Sequence, residues 1–138
     1  MTTRVLFLCT HNAARSQMAE GLLRHMASKR FDVQSAGTAP TAVHPLAVAV
    51  MNEIGIDVSD QRSKDVSEIE AHPDVVITLC HEAKEACPVF PGAPRILHWS
   101  LPDPAAAPGD EAAAIVAFRR VRDTLAGIVR KFIEGVEQ

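Results

Sequence analysis

Cys9 and Arg15 stand six positions apart, with Ser16 directly after, in the stretch Cys9-Thr10-His11-Asn12-Ala13-Ala14-Arg15-Ser16. Residues of these types at this spacing suit attack by a thiolate on a bound tetrahedral oxyanion. The guanidinium of Arg15 is a planar fork that grips two oxygens, and backbone N–H groups left unpaired at a helix start attract negative charge. The same positive field favours the thiolate of Cys9, the form that attacks. A buried structural thiol at a strand end is the plain alternative for Cys9. Ser16 can donate a hydrogen bond to that sulfur or cap the following helix, and the two roles are compatible. The His11 side chain is expected to point outward rather than into the anion nest. Asp103, between Pro102 and Pro104, is the carboxylate best placed for proton transfer, with a turn-forming role as its alternative.

The elements that must hold this stretch can be read from either side of it. Val5-Leu6-Phe7-Leu8 is a buried strand, and Met18, Leu22 and Met26 recur at helical spacing. The loop is therefore a strand-loop-helix anion site. The first helix is expected to end between Ala27 and Arg30, and Val33 to Gly37 to form a second strand. Pro45 opens a second helix whose apolar face carries Leu46, Val50, Met51 and Ile54, with Gly55 as its stop. Ile56 to Asp65 reads as a polar connection and Ser67 to Glu70 as a helical turn. Val75 to Leu79 is the clearest β-branched strand, followed directly by Cys80. His81 to Cys87 is compatible with a short helix, and Arg95 to Trp99 with a fourth strand. Leu101 to Gly109 is too rich in proline for a regular element. The last helix starts at Asp110 or Glu111 and buries Ile115, Phe118, Val121, Leu125, Ile128, Val129 and Phe132.

Strands alternating with helices call for one α/β domain over residues 1–138, a four-stranded parallel sheet of flavodoxin-like order 2-1-3-4 with helices on both faces. Ligands in such sheets bind beyond the carboxyl ends of the strands where the order reverses, here between strands one and three. Cys9 and Cys80 each follow one of those strands. Neighbouring strands lie about 4.8 Å apart, and a disulfide needs Cα atoms roughly 4.4 to 6.8 Å apart, so these two thiols come within bonding reach after modest loop movement. Cys80 and Cys87 differ: seven residues of helix advance about 10.5 Å, so pairing them requires the segment between to unwind, a redox-driven switch. The alternative makes Cys80 a core thiol and Cys87 a surface thiol. Zinc held by the three thiolates with His81 or His98 is a weaker reading, because Cys9 lies in a loop suited to anions.

Composition limits the function classes. With 138 residues, 47% hydrophobic and 22% charged residues and a net charge of −3, the chain suits one sizeable core, and its mild acidity argues against nucleic acid or an anionic membrane as partner. No run is long enough to span a bilayer, and no signal-peptide pattern opens the chain. A cytoplasmic monomer without bound cofactor or metal is expected. Three cysteines in a reducing compartment point to catalysis rather than a disulfide framework.

At these residues the chain resembles the thioredoxin-coupled arsenate reductases built on the low-molecular-weight tyrosine phosphatase fold. The resemblance covers nearly the whole chain and rests on Cys9 to Gly21, Ser35-Ala36-Gly37, Thr78-Leu79-Cys80 with Cys87-Pro88, and His98-Trp99 with Asp103-Pro104. It implies a relay in which Cys9 attacks arsenate, Cys80 attacks the adduct and releases arsenite, Cys87 takes over the disulfide, and thioredoxin reduces the Cys80–Cys87 bond. Thr10 to Ser16 would bind the substrate, with Arg15 and the loop amides holding the oxyanion, Ser16 and Asn12 supporting the loop, and Asp103 acting as general acid. The chain departs from many relatives in carrying His11 and Ala13 where they have Gly and Ser. Some members bind potassium through residues matching Asn12, Glu20 and Ser35, with an acidic residue where this chain has Lys64. An ammonium in that place implies no need for potassium.

Two other functions share the first chemical step or the fold. A phosphatase would use Cys9, Arg15 and Asp103 alone, but Ala105 follows the Asp-Pro pair, where the phosphatases usually present an aromatic residue to flank a phenol, and the chain has no tyrosine. A non-enzymatic oxyanion or redox sensor would use the Cys80 to Cys87 segment to signal to a partner. Glutathione or mycothiol are alternative reductants, since related enzymes use low-molecular-weight thiols.

Overall fold

Five consecutive residues of the first strand, Val5 to Cys9, are buried, which happens only when both faces of a strand are covered. In the computed structural model, which describes residues 2–69, 72–80, 90, 92 and 94–135, this strand, β1 (Thr3–Cys9), is central to a four-stranded sheet. β2 (Phe31–Gly37) pairs with one edge of β1, β3 (Val75–Thr78) with the other, and β4 (Arg95–His98) lies outside β3. All pairings are parallel and the order is β2-β1-β3-β4, as the alternation of elements predicts. β3 is wholly buried. β4 forms the edge, with Arg95 and Ile96 exposed.

Helix α1 (Arg15–Ala27) lays Met18, Ala19, Leu22 and Leu23 into the core. Helix α2 (Pro45–Glu53) begins at a proline whose fixed φ suits a first turn. His44 caps it, its Nδ1 accepting the Leu46 N–H at 3.0 Å, and Gly55, at φ +79°, lets the chain turn away after it. Helix α3 (Glu111–Gly135) buries Phe118, Val121, Leu125 and Val129 at helical spacing. The three helices pack on one another. Aromatic rings join sheet to helix: Trp99 lies 5.7 Å from both Phe7 and Phe132, and Phe132 lies 5.6 Å from Phe31.

Four expectations need correction. Ile54 does not join the apolar face of α2; it ends the helix 42% exposed, while Ala47, Val50 and Met51 face the core. The connection from Ile56 to Asp65 is not polar throughout, because Ile56 and Val58 are buried and Val58 fills the space over Gly21. The proline-rich loop does contain a regular element, a 3-10 turn over Pro104–Ala106, since proline suits a first helical turn and Asp103 caps it. The turn expected at Ser67 is a 3-10 turn one residue earlier, Val66–Glu68, closed by a capping box between Asp65 and Glu68. The expected helix from His81 to Cys87, and Cys87 itself, lie outside the described residues. No helix among the described residues is long and apolar enough to cross a membrane.

Candidate active site

Cys9 ends β1 in register with Gly37 of β2, and Leu8 lies in register with Thr78 of β3, so the chain beyond β1 runs over the carboxyl ends of three strands. Gly37 is obligatory there: a Cβ would sit 2.5 Å from the Thr10 carbonyl oxygen and 3.0 Å from the Asn12 nitrogen. Asn12 takes a left-handed conformation at φ +50°, which curls the loop so that successive N–H groups converge on one side, the arrangement of an anion-binding nest.

Every loop carbonyl from Cys9 to Ala13 is occupied from outside. Thr38 N–H donates to Cys9 O at 3.3 Å, Ala39 N–H to Thr10 O at 2.8 Å, Thr41 N–H to His11 O at 3.1 Å, and His44 N–H to Ala13 O at 2.9 Å. The Ser63 hydroxyl adds a bond to His11 O at 2.9 Å, and Gln17 Nε2 donates to Asn12 O at 2.9 Å. In a trans peptide the N–H points opposite to the carbonyl, and the chain has no cis bond among the described residues. The N–H groups of Thr10 to Ala14 are thereby turned to the inner side, where none meets a backbone acceptor among the described residues. This is the donor set an oxyanion requires.

Beneath the nest lies the Cys9 thiol, free and 3% exposed. Its sulfur is 2.8 Å from Ser16 Oγ. A buried chain of hydrogen bonds gives that contact a direction. Ser35 Oγ donates its one proton to Glu20 Oε1 at 2.5 Å, so its oxygen accepts from Asn12 Nδ2 at 3.0 Å. The second Asn12 Nδ2 proton goes to Ser16 Oγ at 2.7 Å, which leaves the Ser16 proton to point at the Cys9 sulfur. A thiolate there meets a committed donor. Asn12 Oδ1 accepts from the Lys64 backbone N–H at 3.0 Å, which settles the orientation of the amide. Ser16 does not cap α1; Ala14 holds that position without a side-chain cap.

Arg15, at the first turn of α1, donates through Nη1 to Leu101 O at 3.0 Å and places Nη2 4.0 Å from Asp103 Oδ2. Asp103 uses Oδ1 to accept the Ala105 N–H at 3.0 Å, so both expected roles, turn former and carboxylate at the site, are present in one side chain. Cys80 leaves β3 beside the loop, its sulfur 3.3 Å from Thr10 Oγ1. Thr10, His11, Arg15, Cys80, Ser100, Leu101 and Asp103 line one cleft of about 450 Å³ above the nest. His11 is exposed at its rim. Its Nδ1 lies 3.1 Å from Ala39 O, and because a carbonyl only accepts, Nδ1 carries a proton. Of the residues singled out in the sequence, Cys9 to Ser16, Cys80 and Asp103 converge; Cys87 lies outside the described residues.

A wider cleft of about 620 Å³ is lined by Glu20, Arg24, Arg62 and Lys64 together with Asp32, Asp57 and Asp60. Arg24 pairs with Glu20 and Arg62 with Glu68, which sets Lys64 against Asp32, Asp57 and Asp60, a charge balance that suits an oxyanion less well than the smaller cleft does. Lys64 is half-buried, and burial holds its pKa below the usual lysine value, an effect the Glu20 carboxylate opposes. Among the described residues no three His, Cys, Asp or Glu side chains converge as a metal site would require.

Sequence reading missed Gln17, Ser63 and the segment from Thr38 to His44. Four of the outer donors are backbone N–H groups, which leave no mark in residue type. Gln17 looked like an ordinary polar helix position; its one signal is that it stands on the same stripe as Gly21, which faces Val58.

Comparison with known proteins agrees with this geometry. Residues 4–138 match the family described as low molecular weight phosphotyrosine protein phosphatase. An arsenate reductase of Shouchella clausii (strain KSM-K16) is 43% identical over 135 residues, 96% of each chain. A solved arsenate reductase in the phosphate binding state superposes with a TM-score of 0.78 at 34% identity, covering 96% of this chain and 98% of that one. The thioredoxin-dependent arsenate reductase of Corynebacterium glutamicum is similar with a TM-score of 0.75 at 29% identity, over 99% of this chain and 62% of the other. The chain belongs to the low molecular weight phosphotyrosine protein phosphatase family, and within it stands beside the arsenate reductases.

Proposed function

We propose that this protein reduces arsenate to arsenite through Cys9, Cys80 and Cys87, with thioredoxin as reductant. The observation that carries the reading is a Cys9 thiol under an anion nest, with a second thiol, Cys80, beside Thr10 in the cleft above it. Arsenate sits on the loop N–H groups and Arg15. The Cys9 thiolate attacks arsenic, and one oxygen leaves as water with a proton from Asp103. Cys80, as thiolate, attacks the Cys9 sulfur; the electron pair of the sulfur–arsenic bond stays on arsenic, which departs as arsenite, leaving a Cys9–Cys80 disulfide. Cys87 attacks Cys80, frees Cys9 as thiolate and leaves a Cys80–Cys87 disulfide for the dithiol of thioredoxin to reduce. The arsenate reductases similar to this chain, one of them thioredoxin-dependent by name, support this reading. The phosphatase alternative uses the first half of the same machinery, and Ala105 beside Asp103 provides no aromatic flank for a phenol.

NADPH oxidation followed in the presence of arsenate, thioredoxin and thioredoxin reductase tests it. The wild type turns over, whereas Cys87→Ser releases about one equivalent of arsenite and sustains no NADPH oxidation. Absence of arsenate-dependent oxidation with thioredoxin, glutathione and mycothiol alike overturns the reductase. Hydrolysis of p-nitrophenyl phosphate at rates unaffected by Cys80→Ser favours the phosphatase instead.

A further inference from the structure

Gln17 is fully buried near the start of α1, yet no step of the proposed chemistry uses it. Both protons of its carboxamide and the oxygen are engaged. Nε2 donates to Asn12 O at 2.9 Å and to Arg62 O at 3.0 Å, and Oε1 accepts from Gln61 Nε2 at 2.8 Å. Two carbonyls face the nitrogen and one N–H faces the oxygen, so the amide has only one possible orientation. Gln61 Nε2 also donates to the Gln17 carbonyl at 3.0 Å and locks the pair to the helix.

The peptide that Gln17 grips is the one where the loop is strained. Asn12 is the only non-glycine residue with positive φ among the described residues, a conformation L-residues rarely adopt and one in which asparagine is the usual exception. The other outer carbonyls of the loop are held by backbone N–H groups that no substitution except proline removes. The Asn12 carbonyl alone depends entirely on a side chain. With that carbonyl held outward, the Ala13 N–H on the same peptide faces the nest.

We propose that Gln17 is a positioning residue for oxyanion binding: by fastening the Asn12 carbonyl to the chain at Arg62 it keeps the Ala13 N–H turned toward the bound anion. The inference rests on the oxyanion site of the proposed function but not on reduction, and it holds equally for arsenate or phosphate. Without Gln17 the Asn12–Ala13 peptide is free to rotate, and the anion loses one charge-assisted donor, an effect of about ten- to a hundredfold in affinity.

Inorganic phosphate titrated into the reduced protein by calorimetry tests this, with Gln17→Met, which removes both donors at similar volume, and Gln17→Asn, which keeps an amide but withdraws it by one methylene. Both variants are expected to bind phosphate at least tenfold more weakly while melting as single cooperative transitions. Phosphate at concentrations that protect wild-type Cys9 from alkylation by iodoacetamide no longer protects it in either variant. A merely structural role would lower the melting temperature and leave the affinity of the folded fraction untouched. In the 15N-labelled wild type, the Ala13 amide proton is expected to move downfield on phosphate addition; this measurement decides the matter if neither variant folds. Phosphate affinity within threefold of wild type in a folded variant, or an Ala13 amide indifferent to phosphate, overturns the proposal. Failure of the wild type itself to bind phosphate would instead remove the oxyanion site.

Discussion

Asn12 is the residue on which the site turns. It bends the backbone, donates to Ser16 and Ser35, accepts from the Lys64 N–H, and offers its carbonyl to Gln17. The Cys9-to-Arg15 spacing was legible because those residues are neighbours in sequence; the Glu20–Ser35–Asn12–Ser16 chain was not, because its members come from an α1 turn, a strand and the loop, and only the fold sets their oxygens within bonding distance. At the head of that chain stands Glu20, a buried carboxylate paired with Arg24 at 2.7 Å and facing the half-buried Lys64. With Lys64 as a tethered cation, turnover should be equal within about twofold in potassium and sodium at matched ionic strength, and Lys64→Gln should lower kcat/KM several-fold. Steady-state rates in the two salts check this; strong activation of the wild type by potassium over sodium sinks it.

At the level of elements, α2 is joined to α3 by charge. Glu53 pairs with Arg119 at 2.6 Å and with Arg122 at 2.7 Å, and Arg122 also donates to Val50 O at 2.8 Å. The hydrogen bond from Arg119 is the main cause that lowers the Glu53 pKa from 4.5 to about 2. A carboxyl with a depressed folded pKa stabilises the fold above its unfolded value and loses that contribution as pH falls through the folded one. Glu53→Gln should therefore melt below the wild type at pH 7, and the gap should close between pH 4.5 and 2. Thermal melts of the two proteins across that range give the answer, and a gap independent of pH would mean that the pair contributes nothing through charge. This joint matters to the site because His44, at the start of α2, donates to Ala13 O and stacks its ring 4.7 Å from Phe118 of α3. Nothing in the amphipathic spacing of α2 announced the joint, because Glu53 and Arg122 are 69 residues apart.

For the molecule as a whole, the nest is shared by β1, α1, the segment from Thr38 to His44 and the segment from Gln61 to Lys64. An anion that binds only this assembled loop must stabilise the entire fold by linkage. Phosphate at a hundred times its Kd is worth about 2.7 kcal/mol, which for a domain of this size corresponds to a rise in Tm of roughly 10 °C. Arg15→Ala should abolish most of that rise. Calorimetric scans with and without phosphate measure it, and an equal rise in Arg15→Ala would place the anion elsewhere.

What the sequence determined by itself is the order of elements, the parallel sheet 2-1-3-4, and the choice of Cys9, Arg15, Cys80 and Asp103 as the candidate groups that the fold brings together. Alternating strands and helices, and residues adjacent in the chain, carry that information locally. Tertiary structure alone decided where the loop carbonyls point, which way the proton of Ser16 faces, and that Gln17 and Ser63 belong to the site. Those outcomes depend on backbone donors and on side chains tens of residues apart, whose hydrogen-bonding partners exist only once the strands are in register.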